Sequence, residues 1–207
     1  MCWSENASYF SFVVGTITNT IAMYILIRDG YRTQAVMLLW WQFDLLMQIP
    51  EALEWRAIRL RRTSKFNTSL AFFLNVLQPL VAYLCVSAAI GRHDAISIVA
   101  LFTYMLTFVH VKLPASIRPT DECPHLNLDW WPYWRALAYH ITTLIVLRSL
   151  PTKDMLIHGA IFEATLLLSI ATVKPCGVAS VWCWSTFVAA ITVLLVTKVT
   201  EKIPSST

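Results

Sequence analysis

Residues 33–55 read TQAVMLLWWQFDLLMQIPEALEW, an apolar run of membrane-spanning length that carries three acids. A helix that crosses a bilayer needs about 20 predominantly apolar residues. The acids in this run are Asp44, Glu51 and Glu54. Because a carboxylate in hydrocarbon is costly, an acid inside a span indicates a functional site. The stretch therefore predicts both the class of protein and the region of its site.

The composition of the whole chain agrees with a membrane protein. Of its 207 residues, 57% are hydrophobic and 14% are charged, whereas soluble domains carry about 25% charged residues. It has five glycines and no Gly/Ser-rich linker. We therefore predict one all-helical domain over residues 1–207, with an amino-terminal segment at 1–8 and a carboxy-terminal tail at 200–207.

Seven apolar runs predict a bundle of seven transmembrane helices without a soluble domain. They are too long and too evenly apolar for the alternating strands of a transmembrane barrel. Their predicted bounds are Ala7–Ile27, Thr33–Trp55, Leu70–Ile90, Ile96–Val111, Tyr133–Leu150, Met155–Val173 and Val178–Val199.

An odd number of spans places the two termini on opposite sides of the membrane. Five basic residues crowd the short connection after the second span, on the amino-terminal side: Arg56, Arg59, Arg61, Arg62 and Lys65. Because Lys and Arg in short loops favour the cytosol, we predict a cytosolic amino terminus. Binding of anionic lipid head groups is the alternative interpretation of this basic loop. With a cytosolic amino terminus, the sequons at Asn6 and Asn67 would face the cytosol and carry no glycan.

Helical spacing groups the polar residues of the second span on one face. Residues three, four and seven apart share a face, so Asp44, Gln48, Glu51 and Trp55 form a stripe. We predict Glu51 and Asp44 as catalytic residues, and Gln48 and Trp55 as part of a substrate or solute pathway. Pro50 predicts a kink in the stripe. Glu54 lies beside the stripe, where Arg56 or Arg59 could pair with it.

Other spans add candidates for the same pathway. Asn75 and Gln78 lie one turn apart in the third span, His140 lies in the fifth, and Trp182 lies near the start of the seventh. Buried polar side chains can also act only as structural contacts between membrane helices. His158 and Glu163 in the sixth span are five residues apart, so they do not share a face.

Tryptophans and cysteines concentrate on the amino-terminal side. Seven of the nine tryptophans fall there, which suggests an aromatic-walled cavity opening to that side. Cys2, Cys123, His125 and Cys176 could bind zinc, which favours four sulfur or nitrogen ligands. No CxxC or HxxxH pair supports that site, so free thiols and a Cys123–Cys176 disulfide remain alternatives.

The opening Met1-Cys2-Trp3-Ser4 resembles an uncharacterised family of small multispanning membrane proteins of large DNA viruses and protists. Looser similarities support this: the segment 48–55, Asn75, Gln78-Pro79, Cys123 with His125, and Trp182-Cys183-Trp184. The resemblance covers nearly the whole chain and implies a membrane-embedded helical protein. The family has no assigned activity, and it usually has another residue where Glu54 stands.

A weaker similarity connects Glu51 and Trp55 to the small membrane-embedded terpene cyclases. Their intramembrane acid protonates an isoprenoid, and aromatic walls stabilise the resulting cation. This analogy implies an enzyme acting on an isoprenoid.

Three functions therefore remain open. The acidic site could act on a lipid or isoprenoid, it could conduct a small solute or proton, or the chain could be a structural or assembly protein. The sequence has no phosphate-binding loop, no HExxH motif and no lysine at the centre of its seventh span for a retinal. We expect membrane lipids as partners and no nucleic acid.

Overall fold

A computed structural model describes residues 4–114, 117–119, 126, 128, 130–172 and 186–201. Within these ranges all regular secondary structure is helical. The helices are α1 Glu5–Arg28, α2 Arg32–Leu45, α3 Gln48–Arg59, α4 Lys65–Ile90, α5 Ala95–Leu106, α6 Tyr133–Leu147, α7 Thr152–Thr172 and α8 Ala189–Glu201, with a 3₁₀ turn at Thr186–Val188 before α8.

Three of these helices are long and apolar enough to cross a membrane: α1, α4 and the part Thr152–Ala171 of α7. Helix α5 is apolar but has only 12 residues. The all-helical prediction is thus confirmed for the described ranges, and three candidate spans support the prediction of a membrane protein.

Helix α1 is apolar on its outer face and small or polar on its inner face. Its exposed apolar residues follow one stripe: Phe10, Val13, Ile17, Ile21, Tyr24 and Ile27. Its buried residues are Ser8, Ser11, Gly15, Asn19, Ala22 and Leu26. A helix of a soluble protein buries its apolar face, whereas membrane helices pack through small and polar residues and expose apolar ones to lipid. The pattern of α1 is therefore that of a lipid-facing helix.

The predicted second span, Thr33–Trp55, is not one helix. Helices α2 and α3 are separated at Leu46 and Met47, where the amide of Leu46 bonds to Phe43 and that of Met47 to Asp44. These i→i+3 bonds form a tighter 3₁₀-like turn. Pro50 has no amide hydrogen to offer the carbonyl of Leu46, and the amide of Ile49 bonds to that carbonyl instead. The helix break that the proline causes therefore lies about one turn before Pro50.

Other predicted bounds differ by a few residues. Helix α4 begins at Lys65 rather than Leu70, because Ser64 caps it by accepting a hydrogen bond from the amide of Asn67. Helix α5 ends at Leu106, five residues before the predicted Val111. Helix α6 ends at Leu147, and α7 begins at Thr152. Of the predicted seventh span, residues 178–185 lie outside the described ranges.

The core lies around α2, which packs against both α1 and α4. Its buried side chains include Met37, Leu38, Trp40 and Trp41. Gly15 lets α1 approach closely, since a Cβ atom there would lie 2.8 Å from both terminal methyls of Leu45. A small residue at this contact is the usual means by which membrane helices pack closely.

Four contacts between charged or polar groups connect the helix ends. At one end Arg59 pairs with Glu5 at 2.9 Å, and the amide of Ile117 donates to Glu54 at 2.8 Å. Elsewhere Lys198 pairs with Asp29 at 2.7 Å, and Arg148 pairs with Asp94 at 3.0 Å. Each contact joins segments that the predicted topology places on the same side.

Candidate functional site

The acidic stripe lies inside the protein. Asp44 in the last turn of α2 is 3% exposed, and Gln48 and Glu51 in the first turn of α3 are 0% exposed. Trp55 is partly buried and packs against the core one turn further along α3. The residues of the stripe thus stay on the inside of the protein on both sides of the 3₁₀ turn.

Helix α1 supplies polar partners to this region. The hydroxyl of Ser11 donates to the side-chain oxygen of Gln48 at 2.9 Å. Two turns further along, the amide of Asn19 donates to Leu38 O and to Gln42 Oε1, each at 3.0 Å. The amide of Gln42 donates to the hydroxyl of Thr16 at 3.0 Å. A series of side-chain hydrogen bonds therefore connects α1 to α2 and α3 on the buried face of α1.

Asp44 is the least compensated acid of the stripe. One of its carboxyl oxygens is buried and has no hydrogen-bond partner in the described part of the chain. Its electrostatic neighbour across the helix interface is Cys85 of α4, which carries no positive charge. Burying a carboxyl group without a cation or a full set of hydrogen bonds is costly. Such a cost is typical of a group that binds something during function.

Glu54 is held differently from the prediction. It is buried, and it accepts a hydrogen bond from the amide of Ile117. The side chain of Asn67 and the charge of Arg118 lie near it, whereas Arg59 pairs with Glu5. Glu54 therefore connects α3 to the segment 117–119, which is a structural role.

The remaining pathway candidates lie in separate contacts. Gln78 accepts a hydrogen bond from the hydroxyl of Tyr139 at 3.0 Å, which connects α4 to α6. Asn75 is also buried in α4, and its side-chain oxygen has no partner among the described residues. The bond between Tyr139 and Gln78 is of the kind that holds membrane helices together.

His140 forms an imidazole–carboxylate pair with Glu163. Its Nε2 lies 2.9 Å from the carboxyl of Glu163 in α7, and its ring stacks on Phe162 with centroids 5.2 Å apart. Glu163 lies near the middle of the candidate span Thr152–Ala171, and its side chain is 39% exposed. The pair is a second polar site, separate from the stripe.

Two buried side-chain hydrogen bonds between α2 and α7 were not predicted. Trp41 Nε1 donates to His158 Nδ1 at 3.1 Å, and the amide of Gln34 donates to Asp154. Because an indole only donates, a neutral His158 carries its proton on Nε2. That nitrogen is buried without a partner in the described ranges. The one-turn spacing of Asp154 and His158 is the available signal, but the predicted sixth span begins only at Met155, after Asp154.

The predicted zinc ligands Cys2, Cys123, His125 and Cys176 lie outside the described residues, as does Trp182. Among the residues that are described, no group of three or more His, Cys, Asp or Glu side chains could hold a metal ion.

The aromatic residues at 130 and 131 pack into the core. Trp130 meets Phe72 edge to face with centroids 5.7 Å apart, and Trp131 meets Tyr139 at 5.2 Å. Trp134 is exposed, and the guanidinium of Arg135 lies 4.6 Å from its ring centroid. Trp3, Trp182 and Trp184 lie outside the described residues, so the aromatic-walled cavity stays a prediction.

Comparisons with protein-family models, with curated proteins and with solved structures gave no match.

Proposed function

We propose that this chain is a seven-span membrane protein whose buried acidic stripe binds a proton or a small cationic solute and passes it through the membrane. Asp44, Gln48 and Glu51 are the binding residues. The observation that supports the proposal most is the burial of these three polar side chains in consecutive turns at a 3₁₀ break. Intramembrane acids at broken helices are a recurrent feature of ion and proton pathways.

The contacts at the helix ends support the seven-span topology. The pairs Arg59–Glu5 and Lys198–Asp29 agree with termini on opposite sides. Helices α5, α6 and α8 are each shorter than 20 residues. Adjacent residues or local thinning of the bilayer would complete these short spans. The amino terminus is cytosolic in this proposal, since the basic residues after α3 lie on its side.

Flux through proteoliposomes tests the proposal. Purified protein is reconstituted, a pH or cation gradient is imposed, and uptake is followed with an internal dye. We expect the wild type to dissipate the gradient and Glu51→Gln to lose most of this flux, because the amide keeps the shape and removes the exchangeable charge. Glu201→Gln is the matched control, since Glu201 is exposed at the end of α8.

A Glu51→Gln protein with wild-type flux would contradict the role of the stripe. Absence of flux in the wild type, together with turnover of a lipid or isoprenoid that the same variant lost, would favour an enzyme instead.

One observation favours that second function. An apolar groove of about 810 Å³ lies between α7 and α8, a size that suits a lipid-like ligand. However, the described residues that line it carry no carboxyl group. An enzyme that protonates an isoprenoid needs its acid at the bound chain, so the separation of groove and stripe favours the pathway.

A further inference from the structure

The connection between α3 and α4 concentrates positive charge on the surface. Six basic side chains that it contains or contacts are exposed: Arg56, Arg59, Arg61, Arg62, Lys65 and Arg118. Arg118 belongs to the segment 117–119, and its guanidinium donates to the carbonyl of Arg62 at 3.4 Å. Among the described residues, the acids next to this surface are Glu5, which pairs with Arg59, and Glu54, which is buried. The described part of the surface therefore carries an excess of positive charge.

Two large apolar side chains are exposed among these cations. Phe66 is 72% exposed and Leu60 is 51% exposed. Phe66 lies in the first turn of α4, which is a candidate span, so it sits where α4 would enter the bilayer. Exposed apolar residues among basic ones are the pattern of segments that lie in the head-group region of a membrane.

The backbone at Arg61 carries a local cost. Its φ is +53°, in the left-handed region that favours glycine. The amide of Arg62 bonds to Ala57 O at 2.8 Å and that of Arg61 to Ile58 O at 3.0 Å. This is the Schellman arrangement that ends a helix, with arginine at the position where glycine is usual. Helix termination alone does not account for an arginine there.

Lys65 also occupies a position that is electrostatically unfavourable for a positive charge. It is the first residue of α4, and the amino-terminal end of a helix disfavours a positive charge. Arg56 and Arg59, in the last turn of α3, and Arg61 and Arg62, just beyond it, lie near the negative end of the α3 dipole, whereas Lys65 lies at the positive end of the α4 dipole. An external anion would offset both local costs.

We propose that the α3–α4 connection is a binding surface for the head groups of anionic phospholipids. The guanidinium groups of Arg61 and Arg62 and the ammonium of Lys65 contact the lipid phosphates, and Leu60 and Phe66 insert beside the acyl chains. The left-handed backbone at Arg61 places two consecutive guanidinium groups at the end of α3. This binding is independent of the proton or solute pathway.

Native mass spectrometry of the full-length protein ejected from mixed-lipid nanodiscs tests the proposal. The nanodiscs contain equal amounts of phosphatidylglycerol and phosphatidylcholine. We expect the wild type to retain more phosphatidylglycerol, and Arg61→Gln/Arg62→Gln to lose much of this preference, by up to about fivefold for each charge removed. The matched control is Arg32→Gln/Arg92→Gln, which removes the same charge from residues outside this surface and keeps the preference.

A second variant separates binding from structure. Arg61→Gly relieves the left-handed backbone, so we expect a higher melting temperature in neutral detergent together with a weaker preference for phosphatidylglycerol. A basic loop that acts only as a topology signal would leave the lipid preference of both variants at the wild-type value. That result, or an equal loss in the control, would overturn the proposal.

Discussion

Trp41 sets the position of the proton on His158, and both side chains are buried in the core. We expect Trp41→Phe to lower the free energy of unfolding by about 1–3 kcal/mol, because it leaves the imidazole with no partner at Nδ1. Denaturation in detergent, followed by circular dichroism, measures the change. Trp134→Phe is the control, since Trp134 is exposed.

The double variant Trp41→Phe/His158→Phe sharpens this test. It removes the orphaned imidazole, and replacing both members of a buried polar pair by apolar groups costs less than removing one. Recovery of part of the lost stability is expected. The role of the hydrogen bond would be contradicted if the double variant lost more free energy of unfolding than Trp41→Phe and His158→Phe lose together as single variants.

Asp29 gives a prediction for pH. Hydrogen bonds from Arg28 and Lys198 lower the pKa of its carboxyl group to about 2, below the ordinary 3.8. An acid with a lowered pKa stabilises the fold fully above its ordinary pKa and loses this contribution as the pH falls towards the lowered one. We expect Asp29→Asn to melt below the wild type at pH 6, with a gap that narrows between about pH 4 and pH 2. A gap that widened with acidification would contradict the ion pairs.

Sequence patterns predicted the acidic stripe but not its neighbours. Helical spacing alone groups Asp44, Gln48 and Glu51, and their burial agrees with that grouping. The contacts Trp41–His158 and Gln34–Asp154 join residues more than 100 positions apart. They depend on how α7 packs against α2, which local patterns do not encode.

The break between α2 and α3 shows how a proline interrupts a helix about one turn before its own position. Pro50 leaves Leu46 O without its i+4 donor, so the break lies at Leu46–Met47, where no glycine or proline marks it. The continuous apolar runs predicted α1, α4 and α7 to within five residues at each end. They predicted a continuous second span because the second run has no polar interruption at the break.

The contact between α1 and α2 yields a prediction for Gly15. Alanine there gains up to about 1 kcal/mol in helix propensity, but its methyl group would lie 2.8 Å from Leu45, and overpacking a core costs about 1–3 kcal/mol. We expect Gly15→Ala to lower the free energy of unfolding measured in detergent, and Gly15→Leu to lower it further.

Gly159 is the matched control for this contact. It lies within α7, and a Cβ atom there would meet nothing within 4 Å. Gly159→Ala should leave stability unchanged or raise it. Equal destabilisation by alanine at positions 15 and 159 would show that close packing of α1 is not the cause.

At the scale of the whole molecule, the exposed stripe of α1 predicts which surface meets lipid. Spin labels on cysteines introduced at Val13, Ile17 and Ile21 should collide frequently with oxygen, which is concentrated in the bilayer. A label at Ala22, which is buried, should collide little with oxygen or with a water-soluble nickel complex. High nickel accessibility at Ile17 would contradict a lipid-facing α1.

The two faces of α1 have different roles: one determines how the helix packs, and the other determines which solvent surrounds it. Gly15, Asn19 and their buried neighbours specify how the helix packs, whereas the outer stripe specifies only the medium around it. Exchanging the outer apolar residues of the spans for charged helix formers would therefore change the solvent the fold requires and leave the packing of its interior unaltered. The inner face of this chain is thus a starting point for a water-soluble analogue, in which the buried acids could be titrated by NMR without a micelle.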